Sequence, residues 1–243
     1  MLQKMNQALE FLRGKYGIPA GTVSGNGKNW QLIRPGEEAV TLLWHRLERR
    51  FIELKKIIDS KTLEDISTYR FARFTPGGEL DEIILRELDL VQYLADSKIV
   101  SIYAVKSGDC ACNIIFRLQN GQSGCVECGT ALPLGSEILD RHEIIARRGV
   151  ASDRVVDTQI PQSSIYEWSS DGSRTFTDID TELYGLPNDH IHVVRSAFQV
   201  LFQPETADAW SKQYQLLQQQ LDAVNASAAS GKTIQLNTCG GDK

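Results

Sequence analysis

The chain has 243 residues, 42% of them hydrophobic, and a formal charge of -5. That is enough apolar content for one large or two small cored domains, and too negative a balance for a nucleic-acid partner drawn in by bulk electrostatics. No apolar run approaches membrane-spanning length, and the polar start Met1-Leu-Gln-Lys-Met-Asn-Gln is unlike a signal peptide; the expectation is a cytoplasmic protein with no membrane partner.

Residues 1–18 read as a helix, with Met5, Ala8, Leu9, Phe11 and Leu12 forming its apolar stripe and Gly14 and Gly17 closing it. Ile18 to Pro35 is Gly-rich and reads as irregular. Its Gly21-Thr-Val-Ser-Gly25-Asn-Gly27 lacks the preceding apolar strand and the Gly-Lys-Ser/Thr of a phosphate-cradling loop, so a plain loop is the reading. From Glu37 to Ser60 the apolar residues Val40, Leu43, Leu47, Phe51, Leu54 and Ile58 repeat at three- and four-residue steps, which predicts one long helix with a solvated charged face. Leu63 to Phe74 then reads as a strand whose imperfect alternation calls for a bulge or register change.

The chain is organised around the next stretch, Phe74 to Leu94. A Gly77-Gly78 turn runs into a helix with Thr75 as the candidate N-cap and with Glu79, Asp81 and Glu82 loading its first turn. Leu80, Ile83, Ile84, Leu88, Val91 and Leu94 give it one apolar face, and Glu82, Arg86 and Asp89 share the opposite edge. On spacing alone, that triplet fits an ordinary solvated salt-bridge ladder. As a site, it is the best candidate for chemistry in the chain.

Strands follow: Lys98 to Lys106, Asp109 to Leu118, Ser123 to Leu132 and His142 to Ala146, then a hairpin of Ser164 to Trp168 with Arg174 to Thr177. Asn120-Gly121 predicts a two-residue hairpin turn. That register places Cys112 opposite Gly129 and Cys125 opposite Phe116. Cys110, Cys112 and Cys125 then share a face, with Cys125 roughly 13 Å from Cys112, and Cys128 faces the other way. Zinc coordination is therefore not expected; the thiols read as buried and structural, with Cys239 exposed in the tail. His45 reads as a packing or surface residue. His190 and His192 fall at a helix start and face different ways, and Asp140-Arg-His142-Glu143 reads by default as a solvated turn opening a strand. Asp189 to Phe202 and Thr206 to Ala226 read as helices, Ser227 to Lys232 as a turn and Thr233 to Leu236 as a last short strand. The order implies an α+β fold, a predominantly antiparallel sheet with helices on one face.

The run Gly77-Gly78-x-Leu80-x-Glu82-x-x-x-Arg86-x-x-Asp89 resembles the Gly-Gly-x-Leu-x-Asp-x-x-x-His-x-x-Asp segment of Gfo/Idh/MocA-type oxidoreductases. The resemblance extends over residues 40–236, in the order of that family's C-terminal domain. It implies an N-terminal extension at 1–39 and a flexible tail at 237–243. It also implies Glu82, Arg86 and Asp89 as substrate-binding residues toward a sugar-like ligand. In the family, the Asp and His of this motif help to move the proton that accompanies hydride transfer. Arg86 stands where the family has that His, and arginine stays charged at any working pH. Neither a dinucleotide fingerprint nor the family's Glu-Lys-Pro segment occurs in the sequence, so the chain alone is expected to bind no cofactor; the cysteine and histidine placements above lead to no expected metal. Two functions follow: a non-catalytic ligand-binding or oligomerisation subunit, or the substrate half of a split dehydrogenase whose NAD(P)-binding Rossmann domain is on another chain. In the second, Arg86 would hold an anionic substrate group. A hydrolase using Glu82 and Asp89 as a carboxylate pair ranks behind both. The resemblance also implies a homo-oligomer paired through its sheet face, since the alternation of Ile114, Phe116 and Leu118 with Asn113, Ile115 and Arg117 leaves neither face plainly solvent-facing.

Overall fold

The computed structural model describes residues 1–25, 29–153, 164–169, 172–177 and 185–236. The expected tail, with Cys239, lies outside them. The chain divides into two compact units, Met1–Phe51 with Ile179–Leu216 and Ile52–Asp178 with Leu217–Lys243.

The first unit begins with α1 (Leu2–Tyr16), which buries Met5, Ala8 and Leu9. Three short strands follow, β1 (Thr22–Ser24), β2 (Gln31–Ile33) and β3 (Val40–Thr41), paired antiparallel in that order. Asn6 pins β1 to the helix through both of its amide atoms, accepting from Val23 N–H at 2.7 Å and donating to Val23 C=O at 3.0 Å. Ile18 to Pro35 is therefore not irregular throughout; strands of three residues are too short to show alternation. The single helix expected over Glu37 to Ser60 is also corrected. Val40 lies in β3, Trp44–Leu47 form a 3-10 turn, and α2 runs only over Arg49–Asp59. Glu48, extended at ψ 131°, separates the two helical pieces, and Val40, Leu42 and Leu43 are buried from non-helical backbone. The unit is completed by α4 (Asn188–Phe202) and the start of α5 (Glu205–Ser230).

The second unit is built on a nine-stranded sheet. Its strands are β4 (Ile66–Phe74), β5 (Ile99–Ser107), β6 (Ala111–Leu118), β7 (Ser123–Gly129), β8 (Leu139–Ala146), β9 (Gly149–Ser152), β10 (Ser164–Ser169), β11 (Gly172–Thr177) and β12 (Ile234–Gln235). The order is β11-β10-β9-β8-β4-β7-β6-β5-β12, antiparallel except where β4 meets β7. Between β4 and β5 the chain forms α3 (Leu80–Ala95), which packs on β4, β6 and β7. Tyr69, Phe71, Ile114, Phe116 and Val126 form the apolar floor beneath it. This is the expected α+β layout. The irregularity foreseen in β4 is present as a register shift against β8 between Ile66 and Thr68.

Three local expectations are corrected. The β6–β7 turn has three residues rather than two, because Leu118 N–H reaches Gln122 C=O at 2.8 Å and Gly121 adopts φ 88°. The loop is held from outside: Asn120 N–H donates to Ser97 Oγ at 3.1 Å and Gln119 N–H to Lys98 C=O at 2.9 Å. Cys112 consequently faces Cys128, and Cys125 faces Ile115. Cys128 lies on the buried face with Cys112, and Cys125 on the opposite one. Second, Thr75 does not cap α3. Its hydroxyl donates to Gly77 C=O at 2.7 Å, and Glu79 occupies the N-cap, since Gly77 and Gly78 at φ 102° and 108° carry the chain further before the helix starts. Third, α5 continues through Ser227 to Ser230. Ser227 Oγ accepts from Ala104 N–H at 2.9 Å and donates to Lys232 C=O at 2.7 Å, which ties this last turn to β5.

Candidate functional site

The helical spacing of α3 turns Leu80, Ile83, Ile84, Leu88 and Val91 onto the sheet, and Glu87 turns with them: it has no exposed surface. A carboxylate there needs compensating charge. The sheet supplies it from β8, where alternate residues Asp140, His142, Ile144 and Ala146 share one face, and from Arg73 on β4, directly opposite Asp140. His142 Nε2 lies 2.9 Å from Glu87 Oε2, and its Nδ1 lies 2.5 Å from Asp153 Oδ2 just beyond β9. Asp153 also accepts from the His142 backbone N–H through Oδ1 at 2.5 Å. On the outer side the Arg86 guanidinium bonds Glu87 and stands 3.6 Å from Asp140, which is itself paired with Arg73. His142 and Phe71 meet edge to face at 4.8 Å.

Among the described residues, three positive groups, Arg73, Arg86 and His142, thus meet three carboxylates, Glu87, Asp140 and Asp153. Burial alone would lower the His142 pKa, but the negative charges of Asp153, Glu87 and Asp140 prevail and raise it to about 9. Burial would raise that of Glu87, yet Arg86 and His142 pull it below its ordinary value. Cys128 lies at the inner edge of the cluster. Burial, then Glu87 and Cys112, hold its thiol well above the usual range, and burial pushes Cys112 up to about 11. Both are poor nucleophiles at neutral pH.

Of the residues singled out from sequence, Glu82 is half-buried, Arg86 is 7% exposed and Asp89 is fully buried. A solvated ladder is thereby ruled out for Arg86 and Asp89. The structure brings Arg86 together with Glu87 and Asp140, which the helical spacing did not indicate. His142, expected in a solvated turn, is instead the centre of the cluster. The signals were present: Glu87 sits on the apolar stripe of α3, and His142 alternates with Ile144 and Ala146. Glu87, Asp140 and His142 also offer ligand atoms within 4.8 Å of one another. The Arg86 guanidinium already lies against both carboxylates, so the donor set fits an ion-pair network better than a divalent cation.

No protein-family model matches the sequence, and no curated protein matches it. Solved structures do. A levoglucosan dehydrogenase in complex with NADH and levoglucosan matches at TM-score 0.62 and 17% identity, over 80% of this chain and 65% of that one. An oxidoreductase from Agrobacterium radiobacter in complex with NAD+, L-tartaric acid and magnesium matches at 0.63 and 14%, over 79% and 63%. An NAD binding oxidoreductase from Klebsiella pneumoniae matches at 0.65 and 13%, over 81% and 65%. These neighbours are Gfo/Idh/MocA-type oxidoreductases, and what they share with this chain at such identities is the fold. The chain spans less than two thirds of their length. No helix among the described residues is long and apolar enough to cross a membrane.

Proposed function

We propose that this chain is a non-catalytic subunit of Gfo/Idh/MocA-like fold that self-associates through its open sheet face and takes a sugar-like ligand. The observation that carries the reading is Arg86. It stands where the resemblance puts a proton-transferring histidine, and it is buried and ion-paired to Glu87 and Asp140. A guanidinium so held neither gives nor takes a proton at working pH. Self-association is supported by Tyr103, Val105 and Ile115, 36%, 52% and 58% exposed on the sheet face away from α3, with Tyr103 directly opposite Ile115. The sugar-like class is supported by the neighbours' bound levoglucosan and tartaric acid. The test combines light scattering on the purified chain with an NAD(P)-linked assay over sugars and sugar acids. A closed oligomer without turnover is expected; a monomer at micromolar concentration, or turnover by the chain alone, overturns the reading.

The second reading, a substrate subunit whose Rossmann domain and NAD(P) come from a partner chain, is favoured by the Gly77-Gly78 turn. A Cβ at Gly77 would meet nothing within 4 Å, and one at Gly78 only Thr75 Oγ1 at 3.9 Å. Glu82 is half-buried in the first turn of the helix that follows. A ligand has open backbone to approach there, with Arg86 one turn further along. Native mass spectrometry on the chain from its own cells separates the readings: a second polypeptide with bound nicotinamide cofactor selects this one.

A further inference from the structure

His142 has no accessible surface, and both of its ring nitrogens face carboxylate oxygens: Asp153 at 2.5 Å, Glu87 at 2.9 Å, and Asp140 at 3.5 Å from Nε2. Ionised carboxylates only accept hydrogen bonds, and a neutral imidazole has one N–H to give. Whichever tautomer a neutral ring took, its other nitrogen would turn a lone pair onto a carboxylate in a site closed to water. Only the imidazolium donates in both directions. We infer that His142 is a proton-dependent clasp: its second ring proton fastens the middle of α3, through Glu87, and the end of β9, through Asp153, to strand β8, and loss of that proton frees α3 locally.

Among the described residues, charged and titratable groups reach the ring and its carboxylates from several elements. Helix α3 presents Arg86 and Glu87, β4 presents Arg73, β8 presents Asp140, β7 presents Cys128, and Asp153 closes the far side. Among these groups positive and negative charges balance with the imidazolium; without it they carry one more buried negative charge than positive, and the Glu87 contact becomes repulsive. The raised pKa of about 9 agrees in direction, so the clasp is shut at neutral pH and opens in alkali. Three bonds join His142 and Asp153, counting Asp153 N–H to His142 C=O at 3.2 Å, whereas one joins His142 and Glu87. The helix side is therefore the side that lets go. Arg86 adjoins Glu87, so opening displaces the residue placed at the family's histidine position, whether or not that position binds a ligand. The clasp does not depend on the function proposed above.

The test is a long-range proton–nitrogen NMR titration of the full chain, labelled at its four histidines, from about pH 6 to about pH 10. Both His142 nitrogens should show imidazolium shifts at neutral pH and titrate near the alkaline end. The α3 amides around Glu87 should move with the same midpoint, while those of the β5–β6 hairpin stay fixed. Asp153→Asn, which keeps the shape and removes one charge, should lower the ring's proton affinity by about tenfold or more. A neutral tautomer at pH 7, a midpoint at the ordinary histidine value, or α3 amides indifferent to the titration would each overturn the clasp. Should Asp153→Asn not fold, the wild-type titration decides alone.

Discussion

The two faces of the large sheet each depart at a few positions from the usual assignment of residues. The face under α3 carries Arg73, Asp140 and His142 among Phe71, Ile144 and Val126, whereas the uncovered face carries Tyr103, Val105 and Ile115. Alternation normally puts apolar residues inside and polar ones outside. Both departures point to partners of different kinds. The charges of the cluster find theirs within the chain, three against three among the described residues, so they fix how α3 sits. The exposed apolar residues have no such partners among the described residues, and the self-association proposed above would cover them.

The buried face should break hardest. Glu87→Ala removes the counter-charge that Arg86 and His142 share at closest range, and the expected loss is about 3–5 kcal/mol in urea unfolding. A loss under about 1 kcal/mol would mean the cluster is solvated, and the contrast between the faces would vanish. Next in size is the response to pH. The folded-state pKa of His142 is raised above its ordinary 6.5, so its contribution is full below that value and is lost as pH rises through about 9. That of Glu87 is lowered, so its contribution is present above the usual carboxylate value of 4.5 and disappears as pH falls below it. Urea midpoints should therefore be highest between these limits and fall on both sides. A midpoint that climbed steadily toward alkaline pH would contradict the charge assignment. Gly124→Ala sharpens the same face without touching charge. A Cβ there would overlap the Tyr69 carbonyl oxygen and the Phe116 ring, and the Tyr69 clash is with backbone, which cannot swing aside. Overpacking of about 1–3 kcal/mol is expected by the same measurement, and a neutral result would contradict the parallel β4–β7 register that brings Tyr69 against Gly124.

How much of this was legible in the sequence depends on the range of the interaction. The α3 stripe, the β5 to β7 strands and the bulge in β4 follow from local periodicity, and all are present. The hairpin register was missed by one residue because Ser97 and Lys98, outside the hairpin, hold the turn. That slip carried Cys128 to the wrong face. The α2 boundary was missed because Val40 and Leu43 are apolar at helical spacing yet buried from a strand and a turn. Of the cluster, only Arg86 stands among the site residues legible from sequence; Asp140 and His142 stand out together there but read by default as a solvated turn. Glu87, Asp140, His142 and Asp153 come from three separated stretches, and only the pairing of β4 with β8 and the docking of α3 bring them together. Even so, a carboxylate on an apolar helical stripe already demands an unseen partner, and that clue lay within the motif itself.

The uncovered face should yield the smallest change in stability and the clearest change in assembly. Ile115 is 58% exposed at the middle of β6, between Tyr103 on β5 and Cys125 on β7. Lysine at this position keeps an aliphatic stem on the sheet and puts its charge in water, so Ile115→Lys should alter the unfolding free energy of the subunit by no more than about 0.5 kcal/mol. If two copies meet on this face, the same change buries an ammonium group in the contact, and light scattering should show the oligomer dissociating while the urea transition of the isolated subunit stays put. The two readouts must separate. Loss of stability together with assembly would make Ile115 part of the domain's own core, and an oligomer unaffected by the lysine would place the contact elsewhere, leaving the apolar trio as scattered surface residues of no consequence.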